Sequence, residues 1–168
     1  MAATGVFRDD DWAGLAARLL RIEEGDATVR ILVVDDHVLF AEMLTLALEL
    51  GGRFEVVGHA RDGREAIAQA AWLRPDIVVM DLQMPVLDGI EATPRVLAAA
   101  PGAKVVMVST SQAPDDPRRA REAGAVAFLG KDASVEDLVR ALEHEVFRVI
   151  PLRPRRAAHD SADHPFTP

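Results

Sequence analysis

The segment IVVMDLQMPVLDG, residues 77–89, carries the strongest structural signal in this chain. It opens with four apolar residues, three of them β-branched, a composition typical of a strand buried on both faces of a parallel sheet. The run ends at Asp81, and the proline and glycine that follow favour a turn before the next helix. We therefore predict a strand over Ile77–Met80 that presents a carboxylate at its end, and a helix near Ile90–Ala99.

Three further apolar runs end in residues suited to phosphoryl chemistry. They are Ile31–Val34 before Asp35 and Asp36, Val105–Val108 before Ser109, and Ala125–Leu129 before Gly130 and Lys131. Parallel strands bring their carboxyl ends to one edge of a sheet, where ligands bind in open α/β folds. Three carboxylates, a hydroxyl and an ammonium group are therefore expected to meet there, and this set suits a divalent cation and a phosphoryl group.

The alternation of strands and helices predicts an α/β domain with a doubly wound, five-stranded parallel sheet. The predicted strands are Val29–Val34, Phe54–Gly58, Ile77–Met80, Lys104–Val108 and Ala125–Leu129, and the predicted helices are Val38–Leu50, Arg64–Leu73, Ile90–Ala99, Arg118–Glu122 and Val135–Val149. The flavodoxin-like strand order 2-1-3-4-5 is expected by analogy with other folds of this kind. In that order strands 1 and 3 are neighbours, so Asp35 and Asp36 lie beside Asp81.

Composition narrows the possible functions. The chain has 168 residues, 49% of them apolar, which is enough for one domain with a sizeable core. Its net charge of −8 argues against a general nucleic-acid surface, and the lack of cysteine excludes disulfides, thiol catalysis and cysteine-ligated metals. No apolar stretch is long enough to span a membrane, and the first residues do not resemble a secretory signal. We therefore expect a cytoplasmic protein.

The segments before and after the predicted domain differ from it in sequence pattern. Residues 9–22 begin with three aspartates and carry apolar residues at helical spacing, so residues 1–28 are predicted to form an extension with an amphipathic helix. Three interpretations stay open for that helix: packing on its own domain, docking or dimerisation, and disorder. Residues 150–168 contain four prolines and mixed charge, and are predicted to be a disordered tail.

One member of the carboxylate cluster is suited to attack phosphorus. Asp81 stands alone at its strand end and faces the Asp35–Asp36 pair, so it is the best candidate for an acyl phosphate. Repulsion between the carboxylates favours a hard cation, and oxygen ligands with only His37 nearby favour Mg²⁺ or Mn²⁺ over Zn²⁺. Lys131 and Ser109 are expected to contact the phosphoryl oxygens.

The same segments resemble the receiver domain of two-component response regulators, and in particular its NarL/FixJ-type branch. The resemblance covers about residues 29–149. The motifs that carry it are VVDDH at 33–37, MDLQMPVLDG at 80–89, VMVS at 106–109, EAGA at 122–125 and FLGKD at 128–132. It implies a phosphorylation-controlled signalling switch in a phosphorelay, with at most self-dephosphorylation, rather than an enzyme.

The resemblance also implies roles and partners. Asp81 is the implied phosphoacceptor, and the implied Mg²⁺ ligands are Asp35, Asp36, Asp81 and the backbone carbonyl of Gln83. Ser109 and Lys131 are implied to contact the phosphoryl group, and Phe128 to reorient with Ser109 on activation, although plain core packing is an alternative for Phe128. The implied phosphoryl donor is a sensor histidine kinase or a phosphotransfer protein, and the implied output is a downstream protein partner. A homodimer stays open.

The chain departs from the family pattern at several points, and other functions stay open. Thr110 stands where family members usually have a small residue such as alanine, and Pro117 predicts a short fourth helix. Too few residues follow Val149 for the helix-turn-helix domain of this branch, so DNA binding is unexpected from this chain alone. The alternatives are a phosphorylation-independent scaffold and the receiver part of a DNA-binding regulator whose output domain is absent. A phosphohydrolase is disfavoured, because the second residue after Asp81 is Gln83 rather than an acid.

Overall fold

The computed structural model of the chain describes residues 5–6, 28–111 and 113–147. Its strands are β1 Gly5–Val6, β2 Val29–Val34, β3 Phe54–Ala60, β4 Ile77–Asp81, β5 Lys104–Ser109 and β6 Ala127–Gly130. Its helices are α1 Val38–Leu50, α2 Gly63–Leu73, α3 Gly89–Ala99, α4 Asp116–Ala123 and α5 Val135–Phe147. Every strand and helix predicted between residues 29 and 147 is present, with ends that differ by a few residues. Within the described ranges, no helix combines the length and apolar character needed to cross a bilayer.

The sheet has six strands in the order β1-β6-β5-β4-β2-β3. Strands β2 to β6 run parallel, and their order confirms the predicted 2-1-3-4-5 arrangement. The register keeps the carboxyl ends level, because Val34 pairs with Met80, Asp81 with Val108 and Ser109 with Gly130. The residues that follow these strands therefore come out at one edge.

Alternation along the strands divides the core into two faces. One cluster packs β2 and β4 side chains such as Ile31 and Val79 against α1 and α5, and the other packs side chains such as Leu32 and Met107 against α2, α3 and α4. Because successive side chains point to opposite faces, the same alternation continues past the strand ends. It assigns the Asp35, Asp81 and Lys131 positions to the α1–α5 face, and the Ser109 and Phe128 positions to the other.

Helix starts near the site are fixed by local hydrogen bonds. Asp88 caps α3, since its Oδ1 accepts the amide of Glu91 at 2.8 Å. Ser134 caps α5, since its Oγ accepts the amide of Asp137 at 3.1 Å. The fourth helix is eight residues long with Pro117 in its first turn, as its sequence predicts.

One strand of the sheet was not predicted. Gly5 and Val6 pair antiparallel with Phe128 and Ala127, so β1 covers part of the outer edge of β6. A two-residue segment has no periodicity, so no sequence pattern indicated it. The amphipathic helix predicted within residues 9–22 and the tail predicted over residues 150–168 lie outside the described residues.

The turn between β4 and α3 is tightly constrained. A Cβ atom at Gly89 would lie 2.2 Å from the carbonyl oxygen of Asp81, so only glycine lets α3 begin directly against the backbone of β4. Earlier in the same turn, Val86 has a φ of 68° and a side chain that is 69% exposed. A β-branched residue in the left-handed region is strained, at a cost of about 1–3 kcal/mol.

Val86→Gly is expected to raise the free energy of unfolding by about 1 kcal/mol, because glycine adopts this φ without strain. Little apolar burial is lost, since the valine side chain is exposed. Chemical denaturation followed by circular dichroism measures the change. Val86→Ala is the control: it keeps a Cβ atom and should retain most of the strain. A glycine variant less stable than the parent chain would contradict this explanation.

Candidate functional site

Carboxylates from two neighbouring strands meet at the edge of the sheet. Asp35 and Asp36 follow β2, Asp81 ends β4, and ligand atoms of these residues and of His37 all lie within 4.8 Å of one another. Asp35 and Asp81 are both buried. The structure thus brings together the acidic residues that the sequence predicts to be close, and it does so through the pairing of β2 with β4.

Lys131 supplies the positive charge that holds this cluster. Its Nζ contacts Oδ2 of Asp35 and lies 3.0 Å from Oδ2 of Asp81. The lysine side chain is only 6% exposed. Two buried carboxylates therefore share one buried ammonium group, an arrangement in which each charge needs the others to offset its desolvation.

An aromatic ring completes the surroundings of the ammonium group. Nζ of Lys131 lies 4.5 Å from the ring centroid of Phe40, within the range of a cation–π contact. Sequence reasoning did not single out Phe40 for this role. A signal was available, since the first turn of α1 directly follows Asp36 and so lies over the end of β2.

Asp36 and His37 form the more open side of the cluster. The backbone amide of His37 donates to Asp35 Oδ1 at 2.9 Å. Its imidazole Nδ1 lies 3.2 Å from Asp36 Oδ1 without hydrogen-bond geometry, and that buried oxygen has no hydrogen-bond partner. An unsatisfied carboxylate oxygen beside two other carboxylates fits a hard divalent cation such as Mg²⁺ or Mn²⁺.

Ser109 is tied to the same edge through the backbone of Lys131. The Ser109 carbonyl accepts the amide of Lys131 at 2.8 Å, and the buried Oγ accepts the amide of Ser111 at 2.9 Å. Among the residues that the structure describes, the Ser109 hydroxyl has no acceptor for its own hydrogen. The end of β5 therefore presents an O–H donor next to the strand that supplies the lysine.

The remaining two predicted site residues occupy different surroundings. Gln83 contributes its amide, which lies 3.4 Å from Asp81 Oδ1; its carbonyl as a metal ligand stays a prediction. Phe128 is 3% exposed and belongs to the core cluster with Met107 and Ala120, on the face opposite Lys131. This position agrees with core packing in this state, and a reorientation of Phe128 on activation stays a prediction.

Burial raises the pKa of Asp81 above its ordinary value, and this is the largest influence on it. Lys131 opposes the increase through its charge and hydrogen bond, the negative charge of Asp35 adds to it, and the amide of Gln83 lowers it slightly. The ionised form of Asp81 is therefore less favourable in the folded chain than in the unfolded one.

Asp81→Asn is expected to make the chain more stable than the parent at neutral pH. A carboxyl whose folded pKa is raised contributes stability below its unfolded pKa of about 4, and that contribution is lost as pH rises through the folded value. In EDTA, the stability of the parent relative to the variant should therefore decrease as the pH rises above about 4. Urea unfolding at several pH values measures this. Asp132→Asn, at an exposed neighbouring position, should show no such trend, and a constant difference between parent and Asp81→Asn would refute the explanation.

Comparison with known proteins gives the same picture as the geometry. The family profile described as "Response regulator receiver domain" matches residues 31–143. The response regulator GacA of Pseudomonas viridiflava is 39% identical over 114 residues, which are 68% of this chain and 53% of that protein. The chain spans about half the length of such curated relatives.

Solved structures of receiver domains share the fold. The signal receiver domain of the response regulator NarL from Mycobacterium tuberculosis has a TM-score of 0.65 at 35% identity, covering 68% of this chain and 93% of that one. CheX–CheY from Borrelia burgdorferi, solved with BeF₃ and Mg²⁺, has a TM-score of 0.61 at 25% identity, covering 68% of this chain and 86% of the matched one. With its parallel sheet and acidic edge, the chain belongs to the response regulator receiver domains, the phosphoaspartate signalling modules of two-component systems.

Proposed function

We propose that this chain accepts a phosphoryl group on Asp81 from a sensor histidine kinase or phosphotransfer protein in the cytoplasm. The observation that supports this most directly is the contact of Lys131 with the carboxylates of both Asp35 and Asp81. A buried ammonium group beside the acceptor oxygen is the charge that an incoming phosphoryl group needs. The signal then passes to a downstream protein partner.

The transfer follows from the groups at the edge of the sheet. An oxygen of ionised Asp81 attacks the phosphorus of a phosphohistidine, so an O–P bond forms and the N–P bond breaks. The imidazole leaves with the bonding electron pair and takes up a proton from solvent. Lys131 offsets the negative charge of the phosphoryl oxygens, and the hydroxyl of Ser109 donates a hydrogen bond to them. The buried position of Asp81 limits access of water.

A divalent cation fits this proposal. Asp35, Asp36, Asp81 and the Gln83 carbonyl are the residues that would hold Mg²⁺, and the unsatisfied Asp36 oxygen supports that choice. When bound, the ion supplies charge neutralisation at the phosphoryl oxygens. The CheX–CheY structure of Borrelia burgdorferi contains Mg²⁺ with BeF₃, and the same pair of ligands is expected to bind here.

Acetyl phosphate with Mg²⁺ is expected to add one phosphoryl group to the chain, detected by intact-protein mass spectrometry. Asp81→Asn should abolish the adduct because the amide is not a nucleophile, and Lys131→Gln should slow its formation at least about tenfold through loss of charge stabilisation. Asp132→Asn, which changes an exposed carboxyl next to Lys131, should leave labelling unchanged.

Three results would contradict the proposal. The parent chain remaining unlabelled, with no affinity for Mg²⁺, would favour a phosphorylation-independent scaffold. Continuous release of phosphate from varied monoesters would instead favour a hydrolase. An adduct that persists in Asp81→Asn would show that another residue is the acceptor.

An apolar stripe on α1 supports a helical partner beside the site. Leu39, Met43, Leu46 and Leu50 are 70%, 49%, 66% and 88% exposed, although the opposite side of α1 is buried in the core. Their spacing of four, three and four residues is the heptad spacing of helices that pack side by side. Helix α1 begins two residues after Asp36, so a helix docked on this stripe lies next to the acceptor.

Leu46→Glu is expected to slow phosphoryl transfer from a purified, autophosphorylated histidine kinase that labels the parent chain, by about tenfold or more. A buried charge in an apolar helix interface costs binding, whereas labelling by acetyl phosphate needs no such interface. Trp72→Glu is the control, because Trp72 is also exposed and apolar but lies on α2. Equal transfer rates for Leu46→Glu and the parent would place kinase docking elsewhere.

A further inference from the structure

The outer edge of β6 is covered by a segment of the same chain. Gly5 pairs with Phe128 and Val6 with Ala127, antiparallel to β6 and next to the parallel β5–β6 pair. The amide of Lys131, just after this stretch, donates to Ser109 in β5 at 2.8 Å, and the register between β5 and β6 has no shift. Because successive amides of a strand alternate in direction, the amide of Ala127 faces β5 and that of Phe128 faces β1. Gly5 and Phe128 are therefore the hydrogen-bonded pair between β1 and β6. Without β1, backbone groups of β6 would be unpaired at the edge.

Strand β6 itself lacks the features that protect sheet edges. Its sequence AFLG contains no charge and no proline, and its first three side chains are buried. At the opposite edge, β3 carries exposed Glu55 and His59. Bare, uncharged edge strands pair with other chains, and proteins normally block them with charges, prolines or a covering segment. Of these devices, the structure gives β6 only the covering segment.

The connection between β1 and β2 is long enough for β1 to pair with β6 of its own chain. Residues 7–28 join them, and across the sheet β1 is separated from β2 only by β6, β5 and β4. Neighbouring strands lie about 4.8 Å apart, whereas an extended chain spans about 3.3 Å per residue, so pairing within the chain requires no stretching. Because β1 and β6 belong to one chain, their pairing competes with that of a second copy at an effective concentration of about millimolar, and this excludes a second copy at lower protein concentrations.

We propose that Gly5–Val6 is a cap on an adhesive sheet edge, and that a second copy of this chain pairs with β6 when the cap is absent. Antiparallel pairing of β6 with β6 of the second copy is self-complementary about a two-fold axis. Four residues form a small interface, so the resulting dimer is weak. This inference requires no phosphoryl chemistry and is independent of the function proposed for Asp81.

Gly5→Pro in the full chain tests the cap, because proline removes the backbone donor that Gly5 presents to Phe128 in β6. Gly5→Ala is the matched control, since it keeps that donor. Hydrogen–deuterium exchange over residues 125–131, measured at low protein concentration, should be about tenfold faster in Gly5→Pro than in parent and control. Sedimentation equilibrium should show a dimer of Gly5→Pro alone as the concentration approaches about millimolar.

The position of the new contact is read from the same exchange experiment. If the dimer forms through β6, protection of residues 125–131 should return in Gly5→Pro as its concentration rises. Unchanged exchange at low concentration would overturn the cap. Faster exchange in a chain that stays monomeric, or a dimer that leaves β6 unprotected, would overturn the second copy as the occupant. Deletion of residues 1–6 should reproduce the behaviour of Gly5→Pro.

Discussion

A single buried ammonium group stabilises the candidate functional edge of the sheet. Without Lys131, the carboxylates of Asp35 and Asp81 would repel each other at the ends of two hydrogen-bonded strands, in a place where water cannot screen them. The lysine reaches them because β6 is in register with β5 and β5 with β4. The contacts between these charges therefore depend on the topology of the sheet, because any change of strand order or register would separate them.

The site is maintained at a cost to stability. Burial makes the charged form of Asp81 unfavourable, and the turn beyond it holds Val86 in a strained conformation. A core of apolar side chains on both faces of the sheet, with capped helices around it, provides the stability that offsets these costs. Destabilised groups concentrated at one edge of an otherwise well-packed domain are the expected pattern for a site that has to react or change conformation.

The sequence was most informative where one physical rule acts alone. Apolar runs bounded by turn residues predicted all five parallel strands, because burial on both faces permits little else there. The convergence of Asp35, Asp81 and Lys131 followed from the strand ends. Phe40 was missed because its contact depends on the rotamer of a lysine from a distant strand, and β1 because two residues carry no pattern. The positive φ of Val86 could not be predicted, because valine disfavours this turn conformation.

The close approach of Gly89 to the backbone of Asp81 has a consequence for how this domain tolerates change. Helix α3 supports Asp81 from behind, with only a hydrogen atom of the glycine between the two backbone segments. Any larger residue at position 89 pushes Asp81 forward or the helix back, and either movement misaligns the carboxylate with the lysine. The candidate site can therefore be disrupted by altering a residue that has no reactive group, while every charged side chain of the site is still present.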